Sequence, residues 1–394
     1  MKSKRLCEAE QSALDKISTV PQPVLETILC LLPTDEAART SVLSREWKYK
    51  WTKIPKLELH LSDVSNGIIK GNMDMPRDSF DDILRILLSH QCQIDEFTLH
   101  LSTFKADRNS VAFDQIIRHL SKNHTIKKFS IVGSYHHMFY KLPVSFFSLH
   151  QLTDLVLCSI DIEPVDLDSQ PIFNGFDSLR TLCLQNVGIS TETLLRILAN
   201  SPSLKSLTLL IGDSHHDDRY CTVIELFNCL SDIEDLTTFG YVFEWLDLEL
   251  IPYELPSLLH LKYLSFKQMC FVDGSGLTFL LVLIKCSPKL EKIKLEIELE
   301  HACEEDSFVW EDYSDVWLEN LNELEIERFG NLEHEMKFVK FILSRSSNLK
   351  KVCIMSTVDR NQESEMLKTF SQASRLSPVM ITYKHFNDSC FKDL

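Results

Sequence analysis

The sequence predicts an α/β protein in which three short helices precede an irregular leucine-rich-repeat solenoid, a horseshoe-like arc of alternating strands and helices. Three observations predict it. Apolar residues recur at relative positions 0, 3 and 5 in ten segments spaced 25 to 32 residues apart. Helical patterns between those segments end at Ser-Pro or similar breakers, as at Ser201-Pro202 and Ser287-Pro288. Ahead of them, Asp15 to Pro55 holds two short amphipathic stretches hinged at Leu32-Pro33-Thr34 and closed by Trp47 and Trp51.

The opening module is taken first. Pro21 and Pro23 suit a helix start, and Leu25, Ile28, Leu29 and Leu32 fall on one stripe. Pro33 ends that helix because it cannot continue the hydrogen-bond ladder. Thr34 is expected to cap a second helix, with Asp35 and Glu36 well placed against its dipole. Ala37, Ala38, Val42 and Leu43 line the second helix, and Trp47 and Trp51 stand one turn apart on a third. So small a module buries too little apolar surface to be self-sufficient, so a partner is expected to cover it. From Ala37 to Lys56 the bases Arg39, Arg45, Lys48, Lys50, Lys53 and Lys56 face one acid, Glu46, which suits an acidic protein partner.

The ladder begins with "IDEFTL" from Ile94 and "IKKFSI" from Ile126. It continues through "LTDLVL" from Leu152, "LRTLCL" from Leu179, "LKSLTL" from Leu204 and "IEDLTT" from Ile233, which fits except at Thr238. "LKYLSF" from Leu261, "LEKIKL" from Leu290, "LNELEI" from Leu321 and "LKKVCI" from Leu349 complete it. Thr191 is expected to cap one intervening helix, with Leu194, Leu195 and Leu198 on its apolar face. No unit of this kind buries its own apolar face, so neighbours must stack; ten strands at the usual spacing make a wall about 45 Å long. Relative position 8 carries Ile160, Val187, Gly212 and Met269 in place of Asn or Cys, so no internal asparagine ladder is expected. Strand residues at positions 1, 2, 4 and 6, for example Arg180, Thr181, Cys183 and Gln185, are expected on the concave face as candidate substrate contacts.

Composition narrows the function. A net charge of −16 argues against general nucleic-acid affinity. Twelve cysteines without a C-x-x-C pair, several inside apolar runs, point to a reducing compartment, the cytoplasm or nucleus. The longest apolar run, Leu277 to Ile284, is far short of a bilayer span, and the amino terminus has no signal-peptide pattern, so no membrane partner is expected. His136-His137 and His215-His216-Asp217-Asp218 lack metal-ligand spacing, Gly274-Ser275-Gly276 lacks the third glycine of a dinucleotide motif, and no catalytic constellation occurs. No cofactor, metal or enzymatic activity is expected. The acidic stretch from Glu296 to Asp315, interleaved with Phe308, Trp310 and Tyr313, reads as a solvated insertion within a long repeat, with a docking loop for a basic substrate as the alternative.

The segment "DKISTVPQPVLETILCLLPTDEAARTSVLSREWKYKWTKIPKLEL", from Asp15 to Leu59, resembles the F-box of plant F-box/leucine-rich-repeat proteins, with Val20-Pro21 where that family usually has Leu-Pro. The resemblance extends through "YKLPVSFFSLHQLTDLVL" and "FNGFDSLRTLCLQNVGIS". It continues into "LNELEIERFG", "MKFVKFILSRSSNLKKV" and "LKTFSQASRLSPVMITY", which look like the FBD segment of such proteins, with Ser347 where Pro is frequent. It implies a division into a flexible tail (1–14), an F-box (15–60), the repeats (61–316), an FBD segment of terminal repeats and cap (317–385) and a tail (386–394). It further implies that Val20, Pro21, Leu25, Ile28, Leu29, Leu32, Pro33, Val42, Leu43 and Trp47 contact or support a Skp-type adaptor, which links the chain to a cullin-RING ubiquitin ligase. The repeats would then hold an unidentified protein substrate. The alternative is a ubiquitin-independent repeat scaffold that binds protein or nucleic acid directly, which steep salt dependence would reveal.

Overall fold

A computed structural model describes residues 20–45, 47–60, 79–101, 110–133, 140–162, 176–211, 221–239, 246–247, 255–271, 275–298, 313–356, 366, 368–370, 372 and 380–385. The chain forms two compact units, 1–149 and 150–394. The two histidine pairs, Gly274 and most of the acidic stretch lie outside the described residues.

In the first unit, helix α1 runs Gln22–Cys30 and helix α2 Thr34–Arg39, followed by 3-10 turns at Thr40–Val42 and Trp51–Lys53. Pro21 and Pro33 stand immediately before the two helices in extended conformation, where a missing N–H costs nothing. Thr34 does not cap. It is the first helical residue, and its hydroxyl accepts the Glu58 N–H at 2.8 Å, pinning α2 to the strand that follows.

That strand, β1 (Lys56–His60), pairs in parallel with β2 (Glu96–His100), and β2 with β3 (Lys128–Val132). Ile54, Leu57 and Leu59 are all buried at relative positions 0, 3 and 5, so "IPKLEL" is a further copy of the repeat, inside the span assigned to the F-box. Helices α3 (Ser79–Ser89) and α4 (Ser110–Asn123) separate the strands and bury Phe80, Ile83, Phe113 and Ile117; Phe80 and Phe113 meet at 5.6 Å.

Among the described residues of the second unit, the main sheet has nine parallel strands in chain order. They are β4 (Asp154–Cys158), β5 (Thr181–Gln185), β6 (Ser206–Leu210), β7 (Asp235–Phe239), β8 (Tyr263–Met269), β9 (Lys292–Ile297), β10 (Glu323–Phe329), β11 (Lys351–Ser356) and β12 (Met380–His385). Helices α5 (Thr191–Ala199), α6 (Val223–Cys229), α7 (Ser275–Cys286) and α8 (Glu333–Arg345) lie between them in sequence. Register aligns the repeat: Leu155, Leu182, Leu207, Leu236, Leu264, Ile293, Leu324 and Val352 face one another as successive partners, all buried. Thr238, the exception in the pattern, fills its buried place between Leu209 and Phe266.

Backbone geometry repeats with the side chains. The carbonyl of Arg180 accepts the N–H groups of Lys205 and Ser206, that of Lys205 those of Glu234 and Asp235, and that of Lys262 those of Glu291 and Lys292. In the first unit Pro55 and Asp95 play the same part. Each shared carbonyl starts the next rung at a fixed register. The helix ends have a common chemistry too. Ser201, Ser287 and Ser346, all buried, donate to the carbonyls of Ile197, Leu283 and Ile342 at 2.7, 2.6 and 2.7 Å. These hydroxyls take up carbonyls that a terminating helix leaves unpaired, which explains why Ser precedes each breaker. The cap of α5 is Ser190, not Thr191: its hydroxyl accepts the Thr193 N–H at 3.2 Å.

Two strands bulge. The β8–β9 register shifts between Phe266 and Met269 and the β10–β11 register between Glu327 and Phe329, with Gln268 (φ 50°) and Arg328 (φ 60°) in the left-handed region. The architecture is therefore mixed α/β with a leucine-rich repeat. No helix among the described residues is long and apolar enough to cross a membrane.

Candidate functional site

The helical module separates the residues grouped in the sequence into two sets. Leu25, Leu29, Ala37, Trp47 and Ile54 form one buried cluster, with Val20, Cys30, Leu32 and Trp51 packed against it. Trp47 is only 5% exposed, so the module seals it without help from a partner. Thr52, buried behind it, donates to the Tyr49 carbonyl at 2.8 Å, and its own carbonyl accepts the Gln91 N–H at 2.9 Å. Leu25, Leu29 and Trp47 therefore hold the module's shape.

The second set faces solvent. Leu31 is 80% exposed, Val42 87% and Leu43 61%; Val24, Ile28 and Tyr49 are about half exposed, and Pro21 and Pro33 are exposed as well. The division follows from helical geometry. Residues 25, 29 and 32 make one stripe, and residues 24, 28 and 31, each one position earlier, make another about 100° away. Sequence reading placed Ile28 on the first stripe and passed over Val24, Leu31 and Tyr49; the signal that identifies them is this second, offset period. Beyond Thr40–Val42 the chain turns away from helix, which leaves Val42 and Leu43 uncovered.

Charge borders this apolar surface. Arg39 pairs with Asp35 at 3.4 Å while staying largely exposed. Lys50 lies 5.0 Å from the centre of the Trp47 ring and Lys48 5.1 Å from that of Tyr49. Arg45, Lys48 and Lys53 are exposed. The arrangement can bury apolar side chains against a partner while meeting carboxylates at the rim.

The strand residues chosen as substrate contacts are brought together in part. Thr181, Cys183 and Gln185 alternate with the buried Leu182 and Leu184 and share the opposite face of β5; Arg180 precedes the strand and is exposed. Their register partners are Asp154, Val156 and Cys158 on one side and Ser206, Thr208 and Leu210 on the other. Burial, with Cys158 close by, pushes the Cys183 thiol up to about 11, so it stays a neutral thiol and not a nucleophile. Along β9 to β11 the corresponding face is ionic. Lys292 reaches Glu323 at 3.3 Å and Glu325 at 3.1 Å, Lys294 reaches Glu325 at 3.3 Å and Glu327 at 2.6 Å, and Lys351 also pairs with Glu323. Burial alone would pull the Lys294 ammonium down, but Glu327 and Glu325 outweigh it and raise its pKa.

The sequence is similar to those of known proteins. Residues 113–230 match the family model for the LRR repeats of FBD-associated F-box protein At5g56370, and residues 317–354 match the FBD model. The F-box/FBD/LRR-repeat protein At1g13570 of Arabidopsis thaliana is 27% identical over 92% of this chain and 97% of its own length. From the same plant, F-box/LRR-repeat protein At3g59200 is 28% identical over 63% of this chain, and F-box/FBD/LRR-repeat protein At3g26920 is 29% identical over 53%. Each of those two alignments covers 45% of the relative's own length. The chain is thus a relative of plant F-box/FBD/LRR-repeat proteins, as its own segments suggested. The FBD match coincides with β10, α8 and most of β11, so it has the strand–helix–strand form of the repeats before it.

Proposed function

We propose that this relative of the F-box/FBD/LRR-repeat proteins is the substrate-receptor subunit of an SCF-type ubiquitin ligase. Its helical module acts as the F-box and binds a Skp-type adaptor; the repeats form the leucine-rich solenoid, which the FBD segment extends, and bind a protein substrate. The observation that carries the reading is the offset stripe of Val24, Ile28 and Leu31 together with Val42 and Leu43, left in solvent beside a module whose own core is complete. A rigid module with an uncovered apolar face is ready to dock without the cost of folding at the same time. The substrate is held near the conjugating enzyme, so its ubiquitination is accelerated by proximity and not by a side chain of this chain. In that role the protein works in the cytoplasm or nucleus.

Calorimetric titration of the full chain with a Skp-type adaptor tests this. Micromolar or tighter binding is expected. Burying Leu31 and Leu43 contributes about 2–4 kcal/mol, so Leu31→Asp with Leu43→Asp should weaken binding at least about 30-fold without altering thermal stability. Absence of binding, or full affinity in the double variant, refutes the assignment.

A further inference from the structure

In the first unit, the half-buried face of β1 and β2 brings two side chains of one strand against a third that lies forty residues further along the chain. Leu57, Leu59, Phe97 and Leu99 point into the core, so Glu58 and His60 on β1 share the opposite face with Thr98 and His100 on β2. The parallel register sets His60 directly against His100. Their imidazoles stack with centroids 4.0 Å apart and planes within 2°. Glu58, one step along the same face, places its Oε1 3.2 Å from His100 Nε2 and 3.8 Å from His60 Nε2. Its other oxygen, Oε2, lies 3.6 Å from the Lys56 ammonium.

We propose that Glu58, His60 and His100 form a binding site for Zn2+ or a similar borderline divalent cation. The three donor atoms lie within 4.8 Å of one another, half-buried, so a cation reaches them without opening the core. With metal–ligand bonds of about 2.0–2.2 Å, tetrahedral donors stand about 3.3–3.6 Å apart, a range that the two separations from Glu58, 3.2 and 3.8 Å, bracket. To bind one ion the two imidazoles must turn out of their parallel stack, so that the in-plane lone pairs of both ring nitrogens converge on it. The chemistry of the donors selects the ion. Two ring nitrogens and one carboxylate suit Zn2+, Co2+ or Ni2+, whereas Mg2+ and Ca2+ require sets of oxygens. The ligands stand on paired strands whose backbone positions are fixed by the ladder, so little ordering is needed on binding. Three protein donors leave a fourth position for water or for a donor from another molecule. No spacing motif marks this site, because the two histidines are forty residues apart and only the pairing of β1 with β2 brings them together.

The test is titration of the full, chelator-treated chain with Co2+ and then Zn2+. One Co2+ per chain should give the visible d–d absorption of a four-coordinate site without the intense thiolate charge-transfer band that cysteine ligation produces. Zn2+ should displace it with micromolar or tighter affinity and raise the melting temperature. His60→Ala and His100→Ala should each abolish the visible band, and Glu58→Gln should weaken binding about 10- to 100-fold, with Thr98→Ala as a neighbour that leaves it intact. Circular dichroism and melting in chelator establish that each variant is folded, and His100→Asn, which keeps a polar side chain, replaces any that is not. A wild-type chain that shows no such band, a thiolate-type spectrum, or undiminished binding by the folded histidine variants overturns the site.

Discussion

Glu335 is the buried acid on which helix α8 depends, and its removal has a calculable effect. The residue is 2% exposed. Its Oε2 accepts the N–H groups of Gly330 at 2.9 Å and Leu332 at 3.1 Å, and the Asn331 N–H also bonds to the carboxyl. Three successive amides converge on one side chain because Asn331, at φ 60°, turns the backbone through the left-handed region. Burial pushes the carboxyl up to about 7, against the downward pull of the three amides.

A carboxyl raised in the folded state holds its proton after the unfolded chain has released its own. Stability from Glu335 is therefore full below about pH 4.5 and is lost as pH rises through 7. Between pH 5 and pH 8 that loss comes to about 2.5 kcal/mol. Glu335→Gln keeps an acceptor and cannot ionise, so relative to wild type it should gain about 2–3 kcal/mol across that interval. Glu335→Ala removes the acceptor shared by three part-buried amides and should cost about 1–3 kcal/mol at pH 5. Urea unfolding at both pH values, followed through tryptophan fluorescence and far-UV circular dichroism, measures all three. A stability difference between wild type and Glu335→Gln that does not change from pH 5 to pH 8 would refute the argument that the acid is desolvated.

Other expectations concern the rest of the chain. Leu29, 1% exposed within the module's core, should cost about 2–4 kcal/mol on change to Ala, read as an earlier urea midpoint, whereas Leu31→Ala should leave the midpoint in place. Burial, with His119 and His90 nearby, lowers His124 to about 4, and its Nδ1 accepts the Ile94 N–H at 3.2 Å. The unfolded chain takes up that proton first, so stability from His124 is present above about pH 6.5 and declines toward pH 4. After allowance for its partial exposure, about 1 kcal/mol should be lost between pH 7 and 5, and His124→Asn should flatten that slope. Lys294 and Glu327, 2.6 Å apart and only about a fifth exposed, should show a coupling energy of about 1–2 kcal/mol in a double-mutant cycle with alanine; additivity of the two single changes would refute a direct pair.

Much of the ladder was legible because its pattern is periodic and its burial obeys the strand period of two. Leu152, Leu155 and Leu157, or Leu349, Val352 and Ile354, are buried where their spacing placed them. The earlier copy at Ile54 escaped notice because it follows the tryptophans so closely that it read as the end of the helical module. Thr34 and Thr191 were misplaced as caps because a one-residue shift of a helix start changes which hydroxyl faces the free amides, and sequence alone does not fix that shift. In the module, Leu25 and Leu29 cannot be told from Ile28 and Leu31 by hydropathy; the partition depends on which side of α1 meets Ala37, Trp47 and Ile54.

The order of apolar and breaker residues by itself determined the repeat, its phase and the inward face of nearly every strand, since these follow from local periodicity. Tertiary structure alone decided which leucines of the opening helices are sealed and which meet solvent, how Glu335 gathers the amides of 330–332, and that His60 meets His100 beside Glu58. Those outcomes depend on packing and strand register, which join residues far apart in the chain and leave no mark on its local composition.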